Sequence, residues 1–524
     1  KAYANAAKIL ETMELDLRDA IETRSLLQKK GIGESMFETI SKWVSTGHSL
    51  YYEEVKATIP PGLLEMLNIR GLGIKKIRQI HDTLGINTLV DLEYACIENR
   101  LTDLPGFGKK TQEKIQDNIT FYRRHQGSLR ANTAREAAGT LLSQLRQINE
   151  VKQADVVGAL RRKNEIVDKL EIIASSASPA VVKTAFCTAV EIEPEQYQST
   201  VHAGFEIVTG TMKDGISFTL YLVSEDRFAF LLHHFTGNEA YQKDFVRRAN
   251  QFGLKVSEYG LFLEDHLLPC QNEHDLFSTL DLHDIPPELR EGRGEIDAAA
   301  NHALPHLVTE KDIRGIFHVH STYSDGSASL FDMVAAAERA GFEYIGISDH
   351  SQSAFYANGL KPDRVRKQHE EIDALRRQFP KIFIFKGIES DILADGSLDY
   401  DDATLSSFDF VIASVHSHFN MEEEGMTQRV IRAMSHPSVT LLGHPTGRLL
   451  LSREGYPLDI PAVIEAARRY SVAIELNASP YRLDLDWRYC KLAKEAGVLL
   501  SLNPDAHQIE SMTDLSTGVG IARK

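Results

Sequence analysis

The hydrophobic period of the chain changes along its length. Up to about residue 125, apolar residues recur near every 3.6 positions, as in Leu63-Leu64-Glu65-Met66-Leu67, which predicts short amphipathic helices. Residues 128–287 mix helical stretches, around 136–148 and 239–252, with strand-like runs at Leu170-Glu171-Ile172-Ile173-Ala174 and Ile216-Ser217-Phe218-Thr219-Leu220, an α/β pattern. The stretch 285–294 combines Pro, Gly and alternating charge, as a linker does, and the boundary is placed at 288–312. From Ile313 short apolar runs alternate with helical stretches, the signature of βα units in a parallel sheet or barrel.

The helical first region carries a repeated punctuation. Three times the chain reaches a Gly-apolar-Gly turn and starts a new helix: Gly31-Ile32-Gly33, Gly71-Leu72-Gly73 and Gly106-Phe107-Gly108. The second and third copies run on into Lys75-Lys76 and Lys109-Lys110, whereas the first has Glu34. Glycine allows a tight turn with exposed amides, and the helix start adds unpaired N–H groups, so the turn suits a phosphate oxygen. Gly71, Gly73, Lys75 and Lys76, with Gly106, Gly108, Lys109 and Lys110, are therefore expected to grip a nucleic-acid backbone without reading bases.

In the last region the ends of the apolar runs are chemically alike. Gly315-Ile316-Phe317 leads into His318 and His320, Tyr344-Ile345-Gly346-Ile347 into Asp349 and His350, and Ile382-Phe383-Ile384-Phe385 into Glu389. Further runs end before His416, His444, Glu475 with Asn477, and Asp505 with His507. In a parallel barrel the C-terminal strand ends meet on one face, so these side chains would converge there. Residues two apart on a strand share a face, so His318 and His320 can share an ion.

Composition narrows the setting. The chain of 524 residues is too long for one hydrophobic core, and 43% hydrophobic with 25% charged residues is ordinary for a globular protein. No apolar run reaches bilayer length and the first ten residues lack a signal-peptide pattern, so no membrane association and a cytoplasmic, nucleoid-associated location are expected. The net charge of −16 argues against simple coating of nucleic acid, but residues 1–130 hold 19 Lys and Arg against 17 Asp and Glu. Four scattered cysteines give neither a disulfide framework nor a zinc ribbon.

FHVHSTYSDGS, ISDHS, KGIESDIL, SVHS, GHPTGR and PDAH resemble the PHP (polymerase and histidinol phosphatase) domain fused to bacterial family X DNA polymerases. The glycine turns resemble the helix-hairpin-helix modules of DNA repair proteins, and Gly158-Ala159-Leu160-Arg161-Arg162 and Phe235-Thr236-Gly237 resemble polymerase motifs, so the likeness spans the chain. It implies an all-α helix-hairpin-helix region over 1–127, an α/β nucleotidyltransferase-like middle over 128–287, a linker over 288–312 and a distorted seven-strand PHP barrel over 313–524. It also implies nine metal ligands: His318, His320, Asp325, His350, Glu389, His416, His444, Asp505 and His507. His318, His320, Glu389 and Asp505 would hold one ion, Glu389 would bridge to a second near His416 and His444, and Asp325, His350 and His507 would complete a third site. Mixed imidazole and carboxylate ligands suit Mn²⁺, Zn²⁺ or Fe²⁺. Arg448 is the candidate phosphate clamp and Asp349 the candidate orienting group.

The polymerase-like middle departs from the family it resembles. Lys169 and Glu171 stand where paired aspartates belong, Asp168 is one place early, and Thr219 occupies the third aspartate position. Gln242 and Val246 replace the Asn and Arg that contact the nascent pair, and Thr39 replaces the lyase lysine. The expected function is a metal-dependent phosphodiesterase on DNA, a 3′–5′ exonuclease extending to abasic sites or 3′ phosphates, working as a monomer beside an inactive polymerase-like module. The competing readings are an active gap-filling polymerase, a noncatalytic DNA scaffold and a small-molecule phosphatase.

Overall fold

A computed structural model describes residues 3, 6, 9–10, 17–29, 31–47, 59–513 and 515–524. They form two compact units, Lys1–Gln126 and Gly127–Lys524.

In the first unit, helices α1 (Glu34–Thr46), α2 (Ile74–Leu84) and α3 (Lys109–Arg124) each start directly after a glycine turn. The apolar middle residues Ile32, Leu72 and Phe107 are buried and pin each turn to its core. Gly31, Gly71 and Gly106 have φ of 112°, 85° and 83°, a region that side chains with a Cβ rarely adopt. The second and third turns are tied to each other: Gln79 Nε2 donates to Pro105 O at 3.0 Å and Asn118 Nδ2 to Arg70 O at 2.9 Å.

The second unit opens on helix α4 (Ala131–Arg146) packed against a five-stranded sheet. Its strands β1 (Gln153–Val156), β2 (Leu170–Ser175), β3 (Tyr197–His202), β4 (Phe205–Thr211) and β5 (Ser217–Val223) run in the order β1-β2-β5-β4-β3. Two helices, Phe228–Thr236 and Glu239–Gln251, and a small three-stranded sheet follow.

The first half of the stretch expected as a linker, 288–312, is packed against its neighbours. Glu288, Arg290, Glu295, Ile296 and Ala299 are buried, and residues 295–300 form a helix. Its alternating charges are paired rather than solvated: Arg290 with Glu273, Glu288 with Arg523 and Lys163, and Glu291 with Arg162 and Lys524. All of those partners but Glu273 lie more than a hundred positions away, so local composition reads as a connector.

Beyond it stands a seven-stranded parallel sheet in sequence order: β6 (Gly315–Ile316), β7 (Tyr344–Ile347), β8 (Phe383–Asp391), β9 (Phe410–Ser414), β10 (Leu441–Leu442), β11 (Ala473–Asn477) and β12 (Leu500–Asn503). Val319 bridges Ala506 in parallel and Phe317 N donates to Asn503 Oδ1 at 3.0 Å, so the first strand returns to the last in a nearly closed barrel. The apolar runs are almost continuous because the strands are covered on both faces.

The barrel and the α/β middle share a polar seam. Trp487 Nε1 donates to Glu165 Oε2 at 2.8 Å, where Arg488 also pairs. Lys524 Nζ reaches Glu291 Oε1 at 2.6 Å and Arg162 O at 2.9 Å, and Arg135 donates to Ser516 and Thr517. Arg130 stacks at 4.0 Å on the ring of Tyr481, which also puts an arginine of the middle region against a barrel loop.

Candidate metal centre

The strand-end candidate ligands arrive at one mouth. His318 and His320 follow β6 and are fully buried, as are Glu389 in β8 and His444 after β10. Glu389 is the hub. Its Oε1 lies 3.4 Å from His318 Nε2, 3.3 Å from His416 Nε2 and 3.0 Å from His444 Nε2. Its Oε2 lies 3.6 Å from His320 Nε2 and 3.0 Å from His350 Nδ1. Asp505 Oδ1 stands 3.5 Å from His318 Nε2 and 3.3 Å from His320 Nε2. Asp325 lies 3.4 Å from His507 Nε2, 3.6 Å from His350 Nε2 and 3.8 Å from His320 Nδ1.

These separations fit a divalent cation. Bonds of about 2.1 Å set neighbouring ligand atoms about 3.0–3.4 Å apart in octahedral or tetrahedral geometry. His318 Nε2 and both ring nitrogens of His320 are buried without a hydrogen-bond partner, an arrangement that costs free energy unless something else engages those atoms. Three overlapping groups have ligand atoms close enough to share an ion: His318, His320 and Asp505; His350, Glu389 and His416; and His320, Asp325, His350 and His507. His320 and His350 each serve two groups, and His444 reaches the second through Glu389.

A second ring of carboxylates orients the first. Glu475 Oε1 accepts from His318 Nδ1 at 2.7 Å, and its Oε2 accepts from the backbone of His444 at 2.7 Å. Asp391 Oδ1 holds His416 Nδ1 at 2.7 Å. Such contacts fix the tautomer and ring angle of a ligating imidazole. Asp349 accepts from Ser321 N, Ser321 Oγ, Ser324 N, Ser324 Oγ and Gln368 Nε2, and so fixes the loop that presents Asp325. Asp391 was not anticipated from sequence, although Glu389 and Asp391 are two apart on one strand and must share a face.

The electrostatics follow from this packing. Burial disfavours the charged form of His416, but Glu389 and Asp391 outweigh it and push the ring up to about 10. Burial, together with His507 and His350, drives His320 down to about 3. Burial would raise Asp325, but His507, His350 and His320 bring it down to about 2. Neighbouring imidazoles of opposite protonation preference around ionised acids form a site whose charge a cation can balance. Adding Mn²⁺ or Zn²⁺ to chelator-treated protein is therefore expected to raise the unfolding midpoint by about 3–8 °C. Scanning calorimetry checks this, and an unchanged midpoint at saturating metal counts against binding.

Arg448 is not brought to the ligands. Its Nε donates to Arg482 O at 3.0 Å, its Nη1 to Asp486 Oδ2 at 2.7 Å and its Nη2 to Leu483 O. The guanidinium is consumed in bracing the loop 482–486. Arg482 stands nearer the chemistry, with Nε 3.4 Å from Asp505 Oδ2.

In the middle region Glu171 and Thr219 are register partners on the parallel strands β2 and β5. Lys169 Nζ sits 3.1 Å from Glu171 Oε1, which also accepts from Tyr221 Oη at 3.1 Å. Asp168 accepts from Ser128 Oγ at 2.8 Å. Arg161 makes a two-pronged pair with Glu273, and Arg162 is bound to Glu291 and Thr236 O. Thr39 Oγ1 donates back to Ser35 O within α1. At the glycine turns Lys75, Lys109 and Lys110 are exposed, whereas Lys76 donates to Gly71 O and lies over Phe107.

Three family models match the chain: a SAM-like helix-hairpin-helix tandem over 63–119, a DNA polymerase beta thumb over 231–291 and a PHP domain over 317–479. Part of the chain is similar to a probable phosphatase of Caldicellulosiruptor saccharolyticus, 32% identical over 206 residues, 36% of this chain and 78% of the relative. A probable phosphatase of Caldanaerobacter subterraneus is 30% identical over 207 residues, 36% of this chain and 74% of that relative. The DNA polymerase/3′-5′ exonuclease PolX of Bacillus subtilis is 36% identical over 527 residues, covering 100% of this chain and 91% of its own length. Likeness on that scale, through hairpins, thumb and barrel alike, makes the chain a member of the bacterial family X DNA polymerases that carry a C-terminal PHP domain.

Proposed function

We propose that this chain is a metal-dependent phosphodiesterase that shortens DNA from its 3′ end, and that its polymerase-like module serves as a frame without nucleotidyl transfer. The observation that carries the reading is the contrast between two sites in one chain. In the barrel, eight ligand-type side chains fall into ion-sized groups and a ninth, His444, adjoins them through Glu389, with orienting carboxylates in place. In the middle, the positions for a polymerase metal pair hold an ammonium, one carboxylate and a hydroxyl. The polarity rests on the Bacillus subtilis relative, whose name includes a 3′-5′ exonuclease.

The nine barrel residues would hold three divalent ions, Mn²⁺, Zn²⁺ or Fe²⁺. Such ions, when bound, supply Lewis acidity toward a phosphate oxygen and lower the pKa of a water. The chain's own residues do the rest. Glu475 and Asp391 fix the imidazoles of His318 and His416, Asp349 holds the Asp325 loop, and Arg482 takes the clamp role expected of Arg448. A guanidinium shared between Asp505 and a phosphate oxygen orients the diester while staying charge-balanced. The same centre would remove 3′ phosphates and abasic remnants, which present the same phosphoester oxygens.

The frame delivers DNA through the glycine turns. Gly73 and Gly108 have φ of −86° and −72°, which any residue adopts, and a Cβ there would meet no atom within 4 Å. The fold does not require glycine at either position, but close approach of an external phosphate does. The double variant Gly73→Val/Gly108→Val is expected to keep its melting temperature and lose about tenfold or more in affinity for duplex DNA. Fluorescence anisotropy at fixed salt checks it, and unchanged affinity would remove the turns from the interface. The exonuclease reading itself is tested with a 5′-labelled oligonucleotide and Mn²⁺: a ladder shortening from the 3′ end supports it, and an intact substrate sinks it.

A further inference from the structure

We propose that the turn Phe355–Ala357 forms a stacking subsite for the 3′-terminal nucleoside of the strand being cut, with Phe355 and Tyr356 offering their rings to its base. The inference rests on the exonuclease reading of the barrel and assigns it a substrate contact outside the ligand set.

The turn follows ligand residue His350 by a few positions and is firmly anchored. Ala354, Ala357 and Leu360 are buried. Ser353 N donates to Asp399 Oδ2 at 2.6 Å, Ser353 Oγ to Asp391 Oδ2 at 2.8 Å, and Leu360 N to His350 O at 2.8 Å. A Cβ on Gly359 would collide with Ser351 O, so the loop closes on itself with no slack. On this pinned loop Phe355 is 84% exposed and Tyr356 70% exposed. Two large rings held in water contribute little to the fold, and the loop that displays them is ordered by the same Asp391 that orients His416.

Tyr356 stands beside the chemistry, and Phe355 precedes it in the same turn. The Tyr356 ring centroid lies 6.1 Å from that of His350 and 6.4 Å from that of His416. A phosphodiester seated at the cluster would bring the nucleoside attached to it within reach of the Tyr356 ring, with Phe355 exposed next to it in the turn. Every base has a π face, so stacking on an aromatic side chain holds single-stranded ends without sequence preference. It also favours ends already unpaired, because a base must leave its duplex to stack there.

The test compares the Mn²⁺-loaded full chain with the double variant Phe355→Ala/Tyr356→Ala on two oligonucleotides, one ending in a normal nucleoside and one in an abasic 3′ sugar. Wild type is expected to cleave the base-bearing end with about tenfold higher kcat/KM, mostly through KM. The double variant is expected to lose that preference while keeping its rate on the abasic end. Tyr356→Trp, which keeps a ring, is expected to retain the preference. An equal base-to-abasic ratio in wild type and double variant overturns the proposal, as does an equal fall on both ends, which would make the turn a support for the cluster. Failure of the underlying reading is separable, since it would show as no Mn²⁺-dependent, Glu389-dependent cleavage of either substrate by wild type.

Discussion

Replacing Glu389 by alanine is expected to lower metal-dependent DNA hydrolysis at least about a thousandfold, roughly 4 kcal/mol in the barrier. No other side chain in the cluster touches as much of it. Its two oxygens lie 3.0–3.6 Å from five imidazoles, those of His318, His320, His350, His416 and His444. Alanine removes the buried charge that holds these rings in register and leaves His416 without the largest source of its affinity for protons or cations, while His318 keeps Glu475 and Asp505. Substitution of an orienting group should cost less, about 10–100-fold for Asp391→Asn. Single-turnover hydrolysis with circular dichroism as a fold control makes the comparison. A Glu389→Ala protein that folds and retains activity within tenfold of wild type would move the catalytic centre elsewhere.

Primer extension is expected to be absent. With Mg²⁺, dNTPs and a gapped template, the chain should add no nucleotide above background. The reason is charge: an ammonium about 4 Å from a divalent ion is unfavourable by about 8 kcal/mol at an effective dielectric of 20. Lys169 pairs with Glu171, the one carboxylate among the three positions where the family has aspartates, and Thr219 offers a hydroxyl in place of the third. The phosphate side is no better. Arg161 and Arg162 are spent on Glu273 and Glu291, and the Glu171 carboxylate crowds Gly158 at the turn where a triphosphate would approach. Extension that survives Glu389→Ala and disappears in Glu171→Ala would show a working polymerase site in spite of these substitutions.

The convergence of the strand-end histidines and carboxylates was legible in the sequence because it depends on strand ends, whereas Asp325 lies in a turn and came only from the family resemblance. His318 and His320 are two apart on one strand, and a parallel barrel gathers strand ends whatever their sequence separation. The glycine turns were legible for a similar reason, since a φ near 85° at Gly71 or Gly106 is a local demand. Arg448 was assigned differently. Its neighbours in sequence suggest a clamp, but its partners, Arg482, Leu483 and Asp486, come from a loop that sequence does not place beside it. The packing of the first half of 288–312 was not legible for the same physical reason: Glu288, Arg290 and Glu291 are neutralised by residues up to 235 positions away. Asp391 was within reach, because the spacing that links His318 to His320 also links it to Glu389.

If the module adds no nucleotide, as proposed, the polar seam between the middle region and the barrel still gives it a structural role. Trp487 and Arg488 rest on Glu165, and Lys524 is sealed against Glu291 and the backbone of Arg162, the arginine of the polymerase-like turn. Substitutions at Lys169 or Thr219 leave these contacts untouched. Loss of the whole module would instead strip the barrel of a buried wall. Selection acting on the barrel alone would therefore preserve this surface whatever the middle region does with nucleotides, so that one domain's wall is its neighbour's foundation.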